Sequence, residues 1–192
     1  MSARAVSIRT ASERDDTLAA TVVLVMGSLL LSLRPLSGVT ADARIALFGA
    51  TYLTIGLASV AVPTGRDRPR LSPVVALGLG VAAVLVTFRA TGPSVPSTWS
   101  AAALPLSLLA AVAEEALFRR VAYARLERFG AAVAIAGSAL LFGLVHVPAY
   151  GLAALPVDVG AGLVFGWQRW ASGTWTVPAT THAFANAMVV LR

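Results

Sequence analysis

Three groups of ionisable or amide side chains lie within otherwise apolar stretches of this sequence. They are Glu114-Glu115 followed by Arg119, Phe142 followed by His146, and His182 followed by Asn186. Because a charged side chain deep in a membrane helix costs at least about 2.5–3.5 kcal/mol, each such residue is a candidate for function. A carboxylate, two imidazoles and a carboxamide supply a base, acids or metal ligands, and an oxyanion donor, which is the set that amide hydrolysis requires.

The adjacent glutamates are expected to have different roles. Neighbouring residues on an α-helix point about 100° apart, so Glu114 and Glu115 cannot serve the same point. Glu115 and Arg119 are four residues apart, in the order that favours an ion pair on one helix face. Glu114 is followed three and four residues later by apolar residues. A carboxylate in apolar surroundings takes up a proton or binds a metal ion or water. Glu114 is therefore a candidate general base. The structural alternative places both glutamates at a helix end in the membrane interface, beside the arginines.

His182 and Asn186 are also four residues apart and are predicted to share one helix face. Taken singly, each has an ordinary structural explanation, because a His within a span is often a hydrogen-bonded packing residue and Asn often connects membrane helices. The functional interpretation therefore depends on the three groups meeting in space.

The elements that must position these residues are predicted to be membrane helices. The 192 residues are 57% hydrophobic and 12% charged, whereas soluble domains carry roughly 25% charged residues. There is no Cys, which excludes a disulfide scaffold. The basic residues, all Arg, are scattered between apolar blocks, which argues against nucleic acid as a partner. The expected fold is an all-α, polytopic transmembrane helical bundle in the lipid bilayer.

About seven spanning helices (six to eight) are predicted, since a span needs about 20 apolar residues. The candidate spans are Leu18–Leu33, Ile45–Val62, Leu71–Phe88, Trp99–Phe118, Ala131–Val147, Leu152–Trp170 and Trp175–Leu191. We expect a polar N-terminal segment (1–17), N-terminal membrane helices (18–97) and a catalytic helical core (98–192). Most arginines fall on one side of these spans, so the positive-inside rule predicts a multi-pass protein of the inner or plasma membrane with a cytoplasmic N-terminus.

Two glycines are predicted to end helices and form hairpins. Gly130 lies 16 residues after Glu114 and 16 before His146, so a hairpin that turns there brings these two side chains level. The next turn is expected at Gly173, 9 residues before His182, so the first hairpin must project roughly 10 Å further for all three to meet. The Gly162-xxx-Gly166 pair predicts a close approach of two helices.

In order and spacing, the three groups resemble the EExxxR, FxxxH and HxxxN motifs of the CPBP family (CAAX proteases and bacteriocin-processing enzymes). This family is also called the Abi or type II CAAX prenyl endopeptidase-like family of intramembrane proteases. The resemblance covers about Trp99–Arg192. It implies an active site of Glu114, His146, His182 and Asn186.

The resemblance also implies a role for each of these residues. Glu114 would take a proton from a water that attacks a peptide carbonyl, and His146 would position that water. His182 and Asn186 would stabilise the oxyanion, while Glu115, Arg119 and Phe142 would support the site. The cofactor is undetermined. Glu114, His146 and His182 are an adequate set of Zn²⁺ ligands. The HExxH spacing of zinc proteases is absent, however, and this favours a reaction with no obligatory metal.

Two other functions stay open from the sequence. The first is a proton- or ion-coupled transporter or channel in which the carboxylate and the two imidazoles form a relay. The second is a non-catalytic membrane scaffold or immunity protein that keeps the fold without the chemistry. The expected partners are a peptide or protein substrate at the membrane and the bilayer itself, and no feature selects a prenylated substrate over an ordinary peptide.

Overall fold

The computed structural model describes residues 3–33, 41–65, 67–91 and 103–191, and these residues form helices and connecting loops without a strand. The prediction of an all-α fold is confirmed. Helix α4 continues through a seven-residue π-helix (Ala116–Ala122) into α5, so the described residues form seven continuous helical rods, apart from short 3₁₀ turns. The α-helices are α1 (Ala3–Ser32), α2 (Ala41–Ala61), α3 (Pro73–Thr91), α4 (Ala103–Glu115), α5 (Tyr123–Leu126), α6 (Ala131–Tyr150), α7 (Leu155–Ser172) and α8 (Thr176–Val190).

Each predicted span overlaps one of these rods. By length and composition, four rods can cross a membrane: the segments Asp15–Ser32, Ala43–Ala61, Pro73–Ala90 and Ala131–Tyr150. Helix α1 begins at Ala3, well before the predicted Leu18, because the residues of the polar leader include good helix formers. The predicted start of the fourth span at Trp99 lies outside the described residues.

Both predicted hairpin turns are present. Gly130 has a φ of 105° and separates the 3₁₀ turn Glu127–Phe129 from α6, and Gly173 has a φ of 70° at the end of α7. Both glycines have a positive φ, which glycine adopts at little cost, and Gly173 has the left-handed conformation typical of a helix C-terminus. The two turns make α6 antiparallel to the α4–α5 rod, and α8 antiparallel to α7.

The core lies where the C-terminal rods meet the first two helices. Leu117 and Phe118 are fully buried and pack with Phe142 of α6 and Phe165 of α7. The outer faces of α1, α2 and α3 expose large aliphatic side chains such as Val74, which is 76% exposed. Such apolar outer faces suit a lipid environment better than water.

The Gly162-xxx-Gly166 pair brings α7 against α6, as predicted. A Cβ placed on Gly162 would lie 2.8 Å from the Cα of Ala139, and one on Gly166 would lie 3.2 Å from the Cα of Ile135. A side chain at position 162 would therefore push the two helices apart, whereas at position 166 the contact is tight but less restrictive.

Candidate active site

Glu115 and Arg119 form the predicted ion pair at the end of α4. The Nε of Arg119 lies 3.2 Å from the Oε2 of Glu115, and both side chains are fully buried. Arg119 also donates a hydrogen bond of 2.9 Å from Nη2 to the carbonyl of Gly162 in α7. The pair therefore joins the end of α4 to the close α6–α7 contact.

Three aromatic rings surround the Arg119 guanidinium. Its Cζ lies 4.8 Å from the centroid of Phe142, 5.5 Å from that of Phe165 and 6.0 Å from that of Phe118. Ring faces attract a cation, and this attraction strengthens when water is excluded. Burial of the guanidinium is thus offset by the rings as well as by Glu115.

His182 contacts the other oxygen of the Glu115 carboxylate. Its Nδ1 lies 3.0 Å from the Oε1 of Glu115, and the ring is only 7% exposed. A carboxylate accepts hydrogen bonds, so Nδ1 carries the hydrogen and the ring directs Nε2 away from Glu115. Phe165 stacks on the imidazole with ring centroids 5.0 Å apart and an interplanar angle of 20°. The ring plane of His182 is therefore held by one hydrogen bond and one stacking contact.

Glu114 meets the other imidazole. Its Oε2 lies 3.6 Å from the Nε2 of His146, and the two residues are 2% and 7% exposed. The hairpin at Gly130 thus brings these side chains to equal height, as the sequence predicts.

The tautomer of His146 follows from its own helix. Its Nδ1 lies 2.7 Å from the carbonyl oxygen of Phe142, and because a carbonyl can only accept, Nδ1 carries the hydrogen. In the neutral ring Nε2 is then an acceptor, and it faces the carboxylate of Glu114. The separation of 3.6 Å between these two atoms is longer than a hydrogen bond.

Asn186 lies one turn beyond His182 on the same face of α8, as predicted. Its Nδ2 donates a 3.0 Å hydrogen bond to the carbonyl of Ser107 in α4, and the side chain is half-buried. A carboxamide nitrogen carries two hydrogens, so this bond occupies one of them.

Phe142 connects the two imidazoles. Its ring centroid lies 4.6 Å from that of His146 and 5.6 Å from that of His182, in an edge-to-face arrangement with the second. The ring of Phe142 therefore contacts both imidazoles, of which His146 faces Glu114 and His182 binds Glu115.

The π-helix, which begins directly after Glu115 and contains Arg119, is a feature that the sequence did not predict. Single π turns inside α-helices are frequent at functional sites. The carbonyl of Arg119 accepts a 3.1 Å hydrogen bond from the Nε of Arg169, whose Nη2 binds Asp67 at 2.6 Å. The sequence does not indicate this contact, because Arg169 and Asp67 are distant in the chain.

Among the residues that the structure describes, no three His, Asp or Glu side chains form a cluster that could hold a metal ion. Glu114 and His146 face each other, whereas the Nδ1 of His182 is occupied by Glu115. As placed, these side chains do not fit a three-ligand Zn²⁺ site.

Residues 96–188, just under half of the chain, match the family model described as Rce1-like, type II CAAX prenyl endopeptidase. These residues carry all three polar groups. No curated protein and no solved structure matches the chain.

Proposed function

Because residues 96–188 match the model of the Rce1-like family of type II CAAX prenyl endopeptidases, we propose that this chain is an intramembrane endopeptidase of the CAAX protease type. In this proposal it hydrolyses a peptide bond of a membrane-associated substrate by means of a glutamate-activated water. The observation that carries the proposal is the buried pair formed by Glu114 and His146.

The geometry of this pair supports a general-base mechanism. A water molecule that donates one hydrogen to the Oε2 of Glu114 and the other to the Nε2 of His146 directs a lone pair away from both. That lone pair attacks the substrate carbonyl carbon while Glu114 takes a proton from the water. When the tetrahedral intermediate collapses, Glu114 returns the proton to the leaving amine, so that one carboxylic acid and one amine are formed.

The opposite side of the site supplies the oxyanion donors in this proposal. In this proposal His182 faces the oxyanion through Nε2 while Glu115 holds its Nδ1. Asn186 donates through the amide hydrogen that does not bind Ser107. Burial strengthens the interaction of His182, because it acts in surroundings of low dielectric constant.

The test uses the purified protein reconstituted in liposomes. The substrates are a peptide ending in a farnesylated Cys-aliphatic-aliphatic-X sequence and the same peptide without the lipid. Cleavage by the wild type that is lost in Glu114→Ala supports the proposal, and the two substrates show whether the lipid is required. Proton flux without cleavage would instead identify a transporter, and neither activity would identify a scaffold.

A further inference from the structure

A fully buried glutamine that the mechanism does not use joins three helices beside the site. The Nε2 of Gln168 in α7 donates 2.9 Å to the carbonyl of Ala76 in α3 and 2.8 Å to the Oγ1 of Thr181 in α8. Gln168, Ala76 and Thr181 each have no exposed surface. The two hydrogens of one carboxamide nitrogen are therefore both used, each on a different helix.

Thr181 directly precedes His182, so this contact controls α8 at the height of the site. Successive helical residues point about 100° apart. Gln168 therefore holds α8 from a different side than Glu115, which binds His182, and Ser107, which binds Asn186. With contacts on two sides, α8 cannot rotate about its own axis without breaking a buried hydrogen bond.

The contact also joins α3, which lies outside the family-matched residues, to the site. The sequence of α3 makes room for it, because a Cβ on Gly80 would lie 2.0 Å from the Nε2 of Gln168 and 2.5 Å from its Cδ. Gly78, two residues earlier on the same helix, has no atom within 4 Å of the corresponding Cβ position. The glycine at position 80 is thus required by the carboxamide rather than by the helix.

We infer that Gln168 is a positioning residue, which sets the orientation of the His182 ring through Thr181 and makes α3 part of the structure that supports the site. The inference rests on the proposed function for its catalytic consequence only. Its structural consequence is separate: displacing the carboxamide changes the surroundings of His182 and leaves those of His146 unchanged.

The chain contains only two His residues, which permits a direct test. Protein labelled with ¹⁵N-histidine and purified in detergent by a tag without histidine gives two imidazole spin systems, and His146→Gln and His182→Gln assign them. We expect Gln168→Met and Gly80→Ala to shift the ring resonances of His182 and to leave those of His146 in place. Gly78→Ala is the matched control for Gly80→Ala, and we expect it to shift neither ring.

Peptide cleavage is measured with the same variants. A small displacement of a catalytic group costs up to about 10²-fold in rate. In Gln168→Met and Gly80→Ala, kcat should therefore fall by up to that factor with KM unchanged. Thr181→Val should behave like Gln168→Met, while Thr181→Ser, which keeps the hydroxyl, should retain the wild-type kcat. Thr180→Val is the control on the exposed face of α8.

The outcomes separate this inference from the proposed function. His182 resonances that are unchanged in both Gln168→Met and Gly80→Ala overturn the inference, and so does an unchanged kcat in these folded variants. If the wild type cleaves no peptide but the His182 resonances shift as expected, the proposed function fails and the positioning of His182 stands.

Discussion

The carboxylate of Glu115 binds the Nδ1 of His182 at 3.0 Å, although 67 residues separate them in the chain. The same carboxylate contacts Arg119. Its neighbour Glu114 instead contacts His146 on α6. Two adjacent residues of one helix thus serve two different imidazoles, which follows from the angle of about 100° between them.

This division of roles predicts opposite effects of two adjacent substitutions. Glu115→Gln removes the counter-charge of the fully buried Arg119 and should destabilise the protein by about 3–5 kcal/mol. Glu114→Gln keeps the shape of the side chain, and should lower kcat by about 10²–10⁴-fold while changing the melting temperature little. Thermal unfolding in detergent, followed by tryptophan fluorescence, measures the first effect. Equal melting temperatures for Glu115→Gln and the wild type would contradict the account.

The α6–α7 contact predicts a strong effect at one glycine and a weak one nearby. Gly162→Ala places a Cβ 2.8 Å from the Cα of Ala139, so the helices must separate, at a cost of about 1–3 kcal/mol. The matched control is Gly160→Ala on the same helix, where no atom lies within 4 Å. Unfolding midpoints of the two variants should differ clearly, and a Gly162→Ala variant as stable as Gly160→Ala would show that the contact is looser than described.

We expect the stability of the protein to depend on pH through Glu127. This residue lies in the 3₁₀ turn after α5 and outside the four apolar spans. Burial raises the pKa of its carboxyl above the ordinary value of 4.5, and the nearby Asp67 adds to the shift against the opposing effect of Arg169. A raised pKa means that the folded state holds the proton more tightly. The contribution of Glu127 to stability is therefore fully present below pH 4.5 and is lost as the pH rises through the folded-state pKa.

Glu127→Gln removes this loss. The melting temperature of the variant relative to the wild type should therefore increase between pH 4 and pH 7, in scans at constant ionic strength. A difference that stays constant, or that decreases over this range, would show that Glu127 does not titrate as its surroundings predict.

Chelation tests the metal question. Because Glu114 and His146 face each other while His182 is held by Glu115, we expect cleavage to persist after dialysis against EDTA or 1,10-phenanthroline. The measurement is peptide cleavage by protein reconstituted before and after chelation. Activity that is abolished and then restored by Zn²⁺ would replace the glutamate mechanism with a metal-dependent one.

The parts of this architecture that depend on short-range chemistry could be predicted from the sequence. Apolar run lengths predicted the helices, Gly130 and Gly173 predicted the turns, and the spacing of four residues predicted the Glu115–Arg119 pair. The equal height of Glu114 and His146 followed from counting residues on either side of Gly130.

The remaining contacts depend on how helices are rotated and how far they slide past each other, and the sequence does not specify this. One example is that His182 binds Glu115 and does not bind Glu114. The π-helix is another, since nothing in its composition distinguishes it from an α-helix. The role of Gln168 cannot be predicted from the sequence either, because its two acceptors, Ala76 and Thr181, are brought together only by packing.

The most direct test of the central claim is a single turnover in H₂¹⁸O, with mass analysis of both the product peptide and the enzyme. If Glu114 activates water, the new carboxyl terminus of the product carries one ¹⁸O, Glu114 carries none, and Glu114→Gln forms no labelled product in the same time. A labelled Glu114 side chain after one turnover, or labelled product from Glu114→Gln at the wild-type rate, would contradict the assignment of Glu114 as the base that activates water.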